Sequence, residues 1–236
     1  MIRHFGALIP STNTTVEIEY NRLLPETLQV HTARLGKGGD TPFLPSLDAD
    51  LEYQSTLLGG SKVEAVCLTQ TSASLFDDDY DANANRLMAA GTRAPSLTSA
   101  EAVGRAVQAL GARRIALVSP YSQTVIERAK RYYELRHDLD VVAMEGFGAT
   151  DSYAIGALSA DNATDAFTRI DSPDIEALVV PGGNFPTMKF IAGWEDQFQK
   201  PIITTNQAAL WGVLSLMNVD DRLSGLGRLL EQMPKF

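Results

Sequence analysis

The chain is a succession of short apolar runs, each ending in proline or small polar residues and each followed by a longer amphipathic stretch. Val63–Leu68 is the sharpest case. Its almost wholly apolar run predicts a strand buried on both faces of a sheet. It breaks at once into Thr69, Gln70, Thr71, Ser72 and Ser74. Phe5–Ile9 predicts a first strand that stops at Pro10. Ser11, Thr12, Asn13, Thr14 and Thr15 follow, then Val16, Ile18, Tyr20, Leu23 and Leu24 at helical spacing. Ser, Thr and Asn before such a run are N-cap signals, and a helix N-terminus also offers free N–H groups to anions. These residues act as caps alone, or as caps and ligand contacts together.

Gln29–Leu35 predicts a second strand, Asp48–Leu58 a helix, and the residues up to Met88 another. Ala94–Leu97 is a short extended stretch, with Thr98 and Ser99 capping a helix through Leu110, and Ile115–Val118 is again a strand. Gly36, Lys37, Gly38, Gly39 and Asp40 superficially suggest a phosphate loop. They lack the Walker spacing and no strong helix follows, so a flexible connection is the better reading. The loop running on to Pro45 is long enough to close over a site. Asp77, Asp78, Asp79 and Asp81 read as solvated residues of a first helical turn, with a metal site as the alternative. Leu223, Leu226, Leu229 and Leu230 share one face of a predicted C-terminal helix within Asn218–Phe236. That face packs back across the molecule or, alternatively, contacts a second copy in a homo-oligomer.

From Ile115 the pattern repeats. GALIPSTNTT from Gly6 matches IALVSPYSQT from Ile115; EAVCLTQTSAS from Glu64 matches EALVVPGGNFPT from Glu176; APSLTSAEAVGRAV from Ala94 matches KPIITTNQAALWGV from Lys200. Three matches in one order imply two similarly built α/β lobes of about one hundred residues, within the usual domain range. Residues 1–97 with about 206–236 form the first lobe, and about 98–205 the second. Ligands of open parallel sheets bind at the carboxyl ends of the strands. Lobes facing each other across a pseudo-twofold axis would bring four such loops to one cleft: Ser11–Thr14, Gln70–Ser74, Pro120–Ser122 and Gly182–Asn184. Clefts between domains are preferred ligand sites.

Bulk properties narrow the partners. With 236 residues the chain can bury a full core, and a net charge of −9 argues against nucleic acid and anionic membrane. A small anion would need a local site of amides and hydroxyls. The single cysteine, Cys67, excludes an internal disulfide and a cysteine-built zinc site. The start, MIRHFGALIP, reaches its proline too early for a signal peptide, and no apolar run approaches a membrane span of about 20 residues. The expectation is a cytoplasmic globular protein.

PSTNTT at Pro10–Thr15, TSAS at Thr71–Ser74, SPY at Ser119–Tyr121 and TTNQAALW at Thr204–Trp211 together resemble the aspartate/glutamate racemase superfamily, in its maleate cis–trans isomerase and arylmalonate decarboxylase branch. The resemblance implies two pseudo-symmetric flavodoxin-like lobes with mainly parallel sheets, no cofactor, no metal, and a small carboxylate held in the cleft between them. In that superfamily two cysteines, one per lobe, normally do the chemistry as base and acid, because thiolates are tuned near neutral pH. The decarboxylases keep the second alone. Here Gln70 takes the first position and Gly182 the second, so both thiols are missing. Cys67 lies three residues before Gln70, roughly 10 Å back along an extended strand, and reads as a buried structural residue. The resemblance assigns Asn13, Thr71, Ser72 and Tyr121 to the substrate carboxylates. Backbone amides near Gly182, Gly183 and Asn184 would complete a second anion pocket, with Ser11 and Ser122 as further contacts in the cleft loops.

Two functions follow. One is a cofactor-independent isomerase, racemase or decarboxylase acting on a small carboxylate without thiols, with Tyr121, Gln70 and water as proton handlers. Gln70 cannot titrate, so it orients or polarises. The other is a carboxylate-binding or sensing protein that has lost catalysis. The missing cysteines speak against a standard maleate isomerase. His4, His31 and His137 are dispersed and stand in none of the cleft loops, and no Ser–His–Asp spacing exists.

Overall fold

The apolar runs do form strands, and the strands form two four-stranded parallel sheets of identical order. The computed structural model describes residues 2–36, 38, 43–149 and 151–236. In the first sheet β1 (Arg3–Pro10), β2 (Leu28–Leu35), β3 (Val66–Leu68) and β4 (Ser96–Thr98) lie in the order β2-β1-β3-β4. In the second, β5 (Arg114–Ser119), β6 (Asp140–Gly146), β7 (Ala177–Val180) and β8 (Ile202–Thr204) lie in the order β6-β5-β7-β8. The three internal sequence matches therefore pair β1 with β5, β3 with β7 and β4 with β8. The central strands β3 and β7 are wholly buried, as continuous apolar runs in a parallel sheet must be.

Helices cover both faces. They are α1 (Val16–Leu23), α2 (Asp48–Gly60), α3 (Tyr80–Thr92), α4 (Ser99–Ala109), α5 (Gln123–His137), α6 (Ser152–Gly156), α7 (Ala160–Ile170), α8 (Ile191–Phe198), α9 (Thr205–Leu216) and α10 (Arg228–Gln232). Late in the chain, α9 returns to lie against β3 and β4 of the first sheet, and α4 and α9 pack on one another. One continuous core runs from Phe5 through Trp211 to Leu230, so the two lobes share their apolar interior. A smaller cluster around Leu8, Leu51, Leu68 and Met88 fills the other face of the first sheet. Among the described residues no helix is long and apolar enough to cross a membrane.

Two expectations are corrected. β3 starts at Val66 rather than Val63, although Val63 and Ala65 are buried and the Gly6 N–H still donates to the Ala65 carbonyl. At the C-terminus only Arg228–Gln232 is helical; Gly225 (φ 80°) and Gly227 (φ 83°) adopt left-handed backbone that breaks a helix before it. Leu223, Leu226, Leu229 and Leu230 are nonetheless all buried in the main core. Lys37, Gly39 and Asp40 of the glycine-rich stretch lie outside the described residues; the Gly36 N–H donates to the Asp50 carboxylate. The aspartates are spent on structure: Asp78 pairs with Arg131, and Asp81 accepts from the Thr98 and Tyr132 hydroxyls. No cluster of three or more metal-ligating side chains is present among the described residues.

His137, at the end of α5, is 8 % exposed and packs against the Tyr132 and Tyr133 rings. Burial pushes its imidazole down to about 4. Below pH 6.5 the unfolded chain takes up a proton that the folded chain refuses, so stability is full above that pH and falls as pH drops toward 4. The shift from 6.5 to about 4 corresponds to roughly 3 kcal/mol. Urea unfolding at pH 7 and pH 4.5 should show a loss of about 2–3 kcal/mol that His137→Gln largely abolishes.

Candidate active site

The carboxyl ends of β1, β3, β5 and β7 open onto one pocket of about 40 Å³ between the lobes. A second cavity of about 50 Å³ adjoins it, and Pro10, Thr12, Phe43, Gln70, Ser72 and Ser152 border both. Each wall is a loop forced by the residues that end its strand.

After β1, the Asn13 carboxamide caps α1. Its Oδ1 accepts from the Thr15 and Val16 N–H groups, both at 3.0 Å, and its Nδ2 donates across the cleft to the Gly183 carbonyl at 3.3 Å. Arg34, from β2, supports this loop from behind by donating to the Ser11 and Asn13 carbonyls at 3.1 and 2.9 Å. Capping and bridging thus share one side chain, and one Nδ2 hydrogen remains for a ligand.

After β3, a short 3₁₀ helix over Thr71–Leu75 begins inside the pocket. Of its first two N–H groups, that of Thr71 has no partner among the described residues, the usual state of a helix start, and that of Ser72 faces the Tyr121 hydroxyl. The Thr71 hydroxyl joins a buried cluster with Ser99 and Thr205, at 3.1 and 3.2 Å. Gln70 does not present a free carboxamide. Its Oε1 accepts from Ser46 at 3.1 Å and its Nε2 donates to the Leu44 carbonyl at 3.0 Å. Gln70 is therefore a clasp for the long loop, which brings Phe43 over the pocket.

The second lobe supplies Tyr121 after β5. Its ring is buried, with Phe43 packed edge-on at 5.3 Å, and its hydroxyl faces Thr71 and both the side chain and N–H of Ser72. Burial pushes the phenol well above its usual value, against the opposing pull of these donors. It stays protonated. After β7, Gly182 has φ 139° and its N–H donates to the Thr205 hydroxyl at 2.8 Å. Gly183 and Asn184 line the pocket, and their N–H groups have no partner among the described residues. The Asn184 side chain ties three segments together, accepting from the Thr14 N–H at 2.7 Å and donating to the Ser152 carbonyl of α6.

Of the predicted site residues, Gln70, Tyr121, Gly182, Asn13, Thr71, Ser72, Gly183 and Asn184 meet at this pocket. Ser11 borders only the adjoining cavity. Ser122 borders neither; it starts α5, its carbonyl accepting from Val125 and Ile126 at 3.0 Å. Phe43 and Ile155 went unread as site residues because they come from a long loop and a five-residue helix without a motif of their own. Cys67 is sealed in β3 between Ala7 and Leu97, and burial raises its thiol far above the usual range. Among the described residues, no Lys, Arg, His, Asp or Glu side chain lines the pocket; Tyr121 is its titratable group. The chemistry available is hydrogen-bond donation without charge.

The family model for arylmalonate decarboxylase matches residues 40–230. The chain belongs to that family. A maleate isomerase from Nocardia farcinica is 25 % identical over 243 residues, covering 98 % of this chain and 96 % of its own. An arylmalonate decarboxylase from Bordetella bronchiseptica is 25 % identical over 234 residues, with 96 % of each chain covered. These relatives are enzymes, an isomerase and a lyase, from the branch that PSTNTT and TTNQAALW indicate. The fold is also that of a maleate isomerase from Pseudomonas putida S16 solved with maleate, at TM-score 0.85, 23 % identity and 98 % coverage of both chains. A maleate cis–trans isomerase from Nocardia farcinica, solved with a covalently bound succinylcysteine intermediate, matches at TM-score 0.85 and 22 % identity over 98 % of this chain and 99 % of that one. No cysteine is among the described residues that line the pocket of this family member.

The donor set yields a direct prediction. A hydrogen bond to a charged group contributes about 1.5–3 kcal/mol, so Asn13→Ala and Ser72→Ala should each weaken binding of a small carboxylate by roughly ten- to a hundredfold. Asn13→Ala should also lower stability by about 1 kcal/mol through loss of the α1 cap, whereas Ser72→Ala should not. Calorimetry and thermal unfolding on the two variants separate the effects.

Proposed function

We propose that this family member is a cofactor-independent enzyme that binds a small carboxylate or dicarboxylate and stabilises its enediolate without a thiol. The observation that carries this is a pocket where N–H groups without a partner among the described residues (Thr71, Gly183, Asn184) converge with the protonated Tyr121. Such donors favour charge that develops on oxygen.

Among the described residues, the pocket offers neither a thiol nor a charged base, and this discriminates among the reactions of its relatives. Adding a nucleophile across a double bond needs a thiolate or its equivalent, and racemisation needs a base to remove a proton. Decarboxylation needs neither. In a malonate-type substrate the C–C bond to one carboxylate breaks and its electron pair stays on the substrate as carbon dioxide leaves. The resulting enediolate spreads its charge over oxygens facing the N–H groups. The carbon then takes the Tyr121 proton, which water replaces, so each turnover consumes one proton. Phe43, Ile155 and Pro10 present an apolar wall to the departing group. At about 40 Å³, the space equals only about three water sites, so substrates without bulky substituents fit best.

A second reading, carboxylate binding without turnover, is favoured by Gln70, whose polar atoms are both committed to the loop. Proton NMR and calorimetry on a panel of malonate, maleate, succinate and 2-oxo acids decide between the two. Loss of carbon dioxide from malonate with uptake of one solvent deuterium supports the enzyme; binding below millimolar without turnover supports the sensor. If no panel member binds below millimolar, the carboxylate reading is wrong.

A further inference from the structure

The buried carboxylate of Glu19 is unused by the chemistry above, yet it sits directly beneath the site. It belongs to α1 of the first lobe and is 7 % exposed. Its Oε1 accepts from the Thr187 and Met188 N–H groups at 2.7 and 2.8 Å, and its Oε2 from Asn206 Nδ2 at 2.7 Å. That same Asn206 nitrogen donates to the Gly183 carbonyl at 3.0 Å, which the Asn13 carboxamide also reaches. Tyr20, beside Glu19, holds Asn206 by donating from its hydroxyl to the Asn206 carbonyl at 2.9 Å. Gly183 is seated tightly: a Cβ there would stand 3.1 Å from Asn206 Oδ1 and 3.2 Å from the Thr69 carbonyl.

We infer that Glu19, acting through Asn206, is a positioning residue that sets the orientation of the Gly183–Asn184 peptide and so aims the Asn184 N–H at the ligand. A trans peptide carries its C=O and N–H on opposite sides. With the Gly183 carbonyl drawn down toward Asn206 and Asn13, the Asn184 N–H turns the other way, toward the pocket these two residues line. The carboxylate is required rather than a neutral carboxamide because three donors converge on it. A glutamine at 19 could accept from both backbone amides, but its NH₂ would then face the NH₂ of Asn206. Asn206 would have to turn and abandon Gly183. Burying a charge is costly unless donors compensate it; burial pushes this carboxyl up, and the Asn206, Met188 and Thr187 donors oppose that at the point where the lobes meet.

This rests on the carboxylate reading of the pocket, and two variants separate the two ideas. Glu19→Gln should weaken binding of the tightest panel carboxylate at least tenfold and speed amide hydrogen exchange across residues 182–188. The double variant Glu19→Gln/Asn206→Asp restores a donor–acceptor match at position 19 but leaves Gly183 without the Asn206 donor. It should regain much of the lost Tm while affinity stays at least tenfold down. Glu195→Gln is the control. Glu195 is another buried carboxylate, accepting from the Ile202 and Arg228 N–H groups at 3.0 and 2.8 Å outside the pocket. It should lower Tm with affinity unchanged. If Glu19→Gln binds as the parent does, or if affinity returns with Tm in the double variant, Glu19 is merely structural. If the parent itself binds no carboxylate, the pocket reading fails, and exchange at 182–188 alone judges the peptide clamp: unchanged exchange in Glu19→Gln overturns it.

Discussion

Gly182→Cys, which would place a thiol at the loop after β7, should destabilise the protein by roughly 2–6 kcal/mol and create no thiol-dependent activity. Gly182 holds φ 139°, a region that residues with a Cβ avoid. A Cβ there would stand 2.9 Å from Pro120 Cγ and 3.0 Å from Pro120 Cδ. The proline ring belongs to the turn that carries Tyr121, so it cannot yield without moving the phenol. Strained backbone and overpacking each cost about 1–3 kcal/mol, which gives the stated range. Denaturant unfolding measures it. The parent should also resist iodoacetamide, because Cys67 is buried and its thiol is held protonated. A Gly182→Cys protein of parental stability whose turnover iodoacetamide abolishes would show that the loop after β7 has been misread.

Tyr121→Phe should reduce kcat/KM on a malonate-type substrate by roughly 10²–10⁴-fold while weakening ground-state binding only about tenfold. The inequality comes from the two parts the phenol plays. As a hydrogen-bond donor it contributes to binding, but as the proton source it acts only once the enediolate exists. Because burial pushes the phenol upward, the activity should show no alkaline limb at the ordinary tyrosine value of about 10. Steady-state kinetics with calorimetry on both proteins tests the split. Equal losses in kcat/KM and affinity would reduce Tyr121 to a binding residue. A limb near pH 10 that vanishes in the phenylalanine variant would mean that the phenol is not shielded.

These expectations draw on different levels of information. Two parallel lobes were legible in the chain itself. Buried parallel strands need apolar residues on both faces, which wrote ALIP, AVCL, ALVS and ALVV into the sequence at matching places. The polar loops after them were legible for the same reason, since a strand's carboxyl end must turn and satisfy its backbone. Eight of the ten residues singled out as catalytic or binding groups consequently meet at one pocket. That Cys67 stands inside a strand rather than in a cleft loop was likewise legible from its position in the chain. What each side chain does there was not. Gln70 looked like a polariser in a polar loop, and only its distances to Ser46 and Leu44 make it a clasp. Phe43 and Ile155 carry no local pattern, because their role depends on where a loop and a short helix land after folding. Leucine spacing suggested a C-terminal helix, but glycines at 225 and 227 with positive φ shortened it while the leucines still found the core. Glu19, in the first turn of α1, carries no local pattern that marks it. Its partners, Thr187, Met188 and Asn206, lie about 170 to 190 residues away. Local periodicity records which face of an element is buried; only the packing of distant elements decides which donors meet which acceptor.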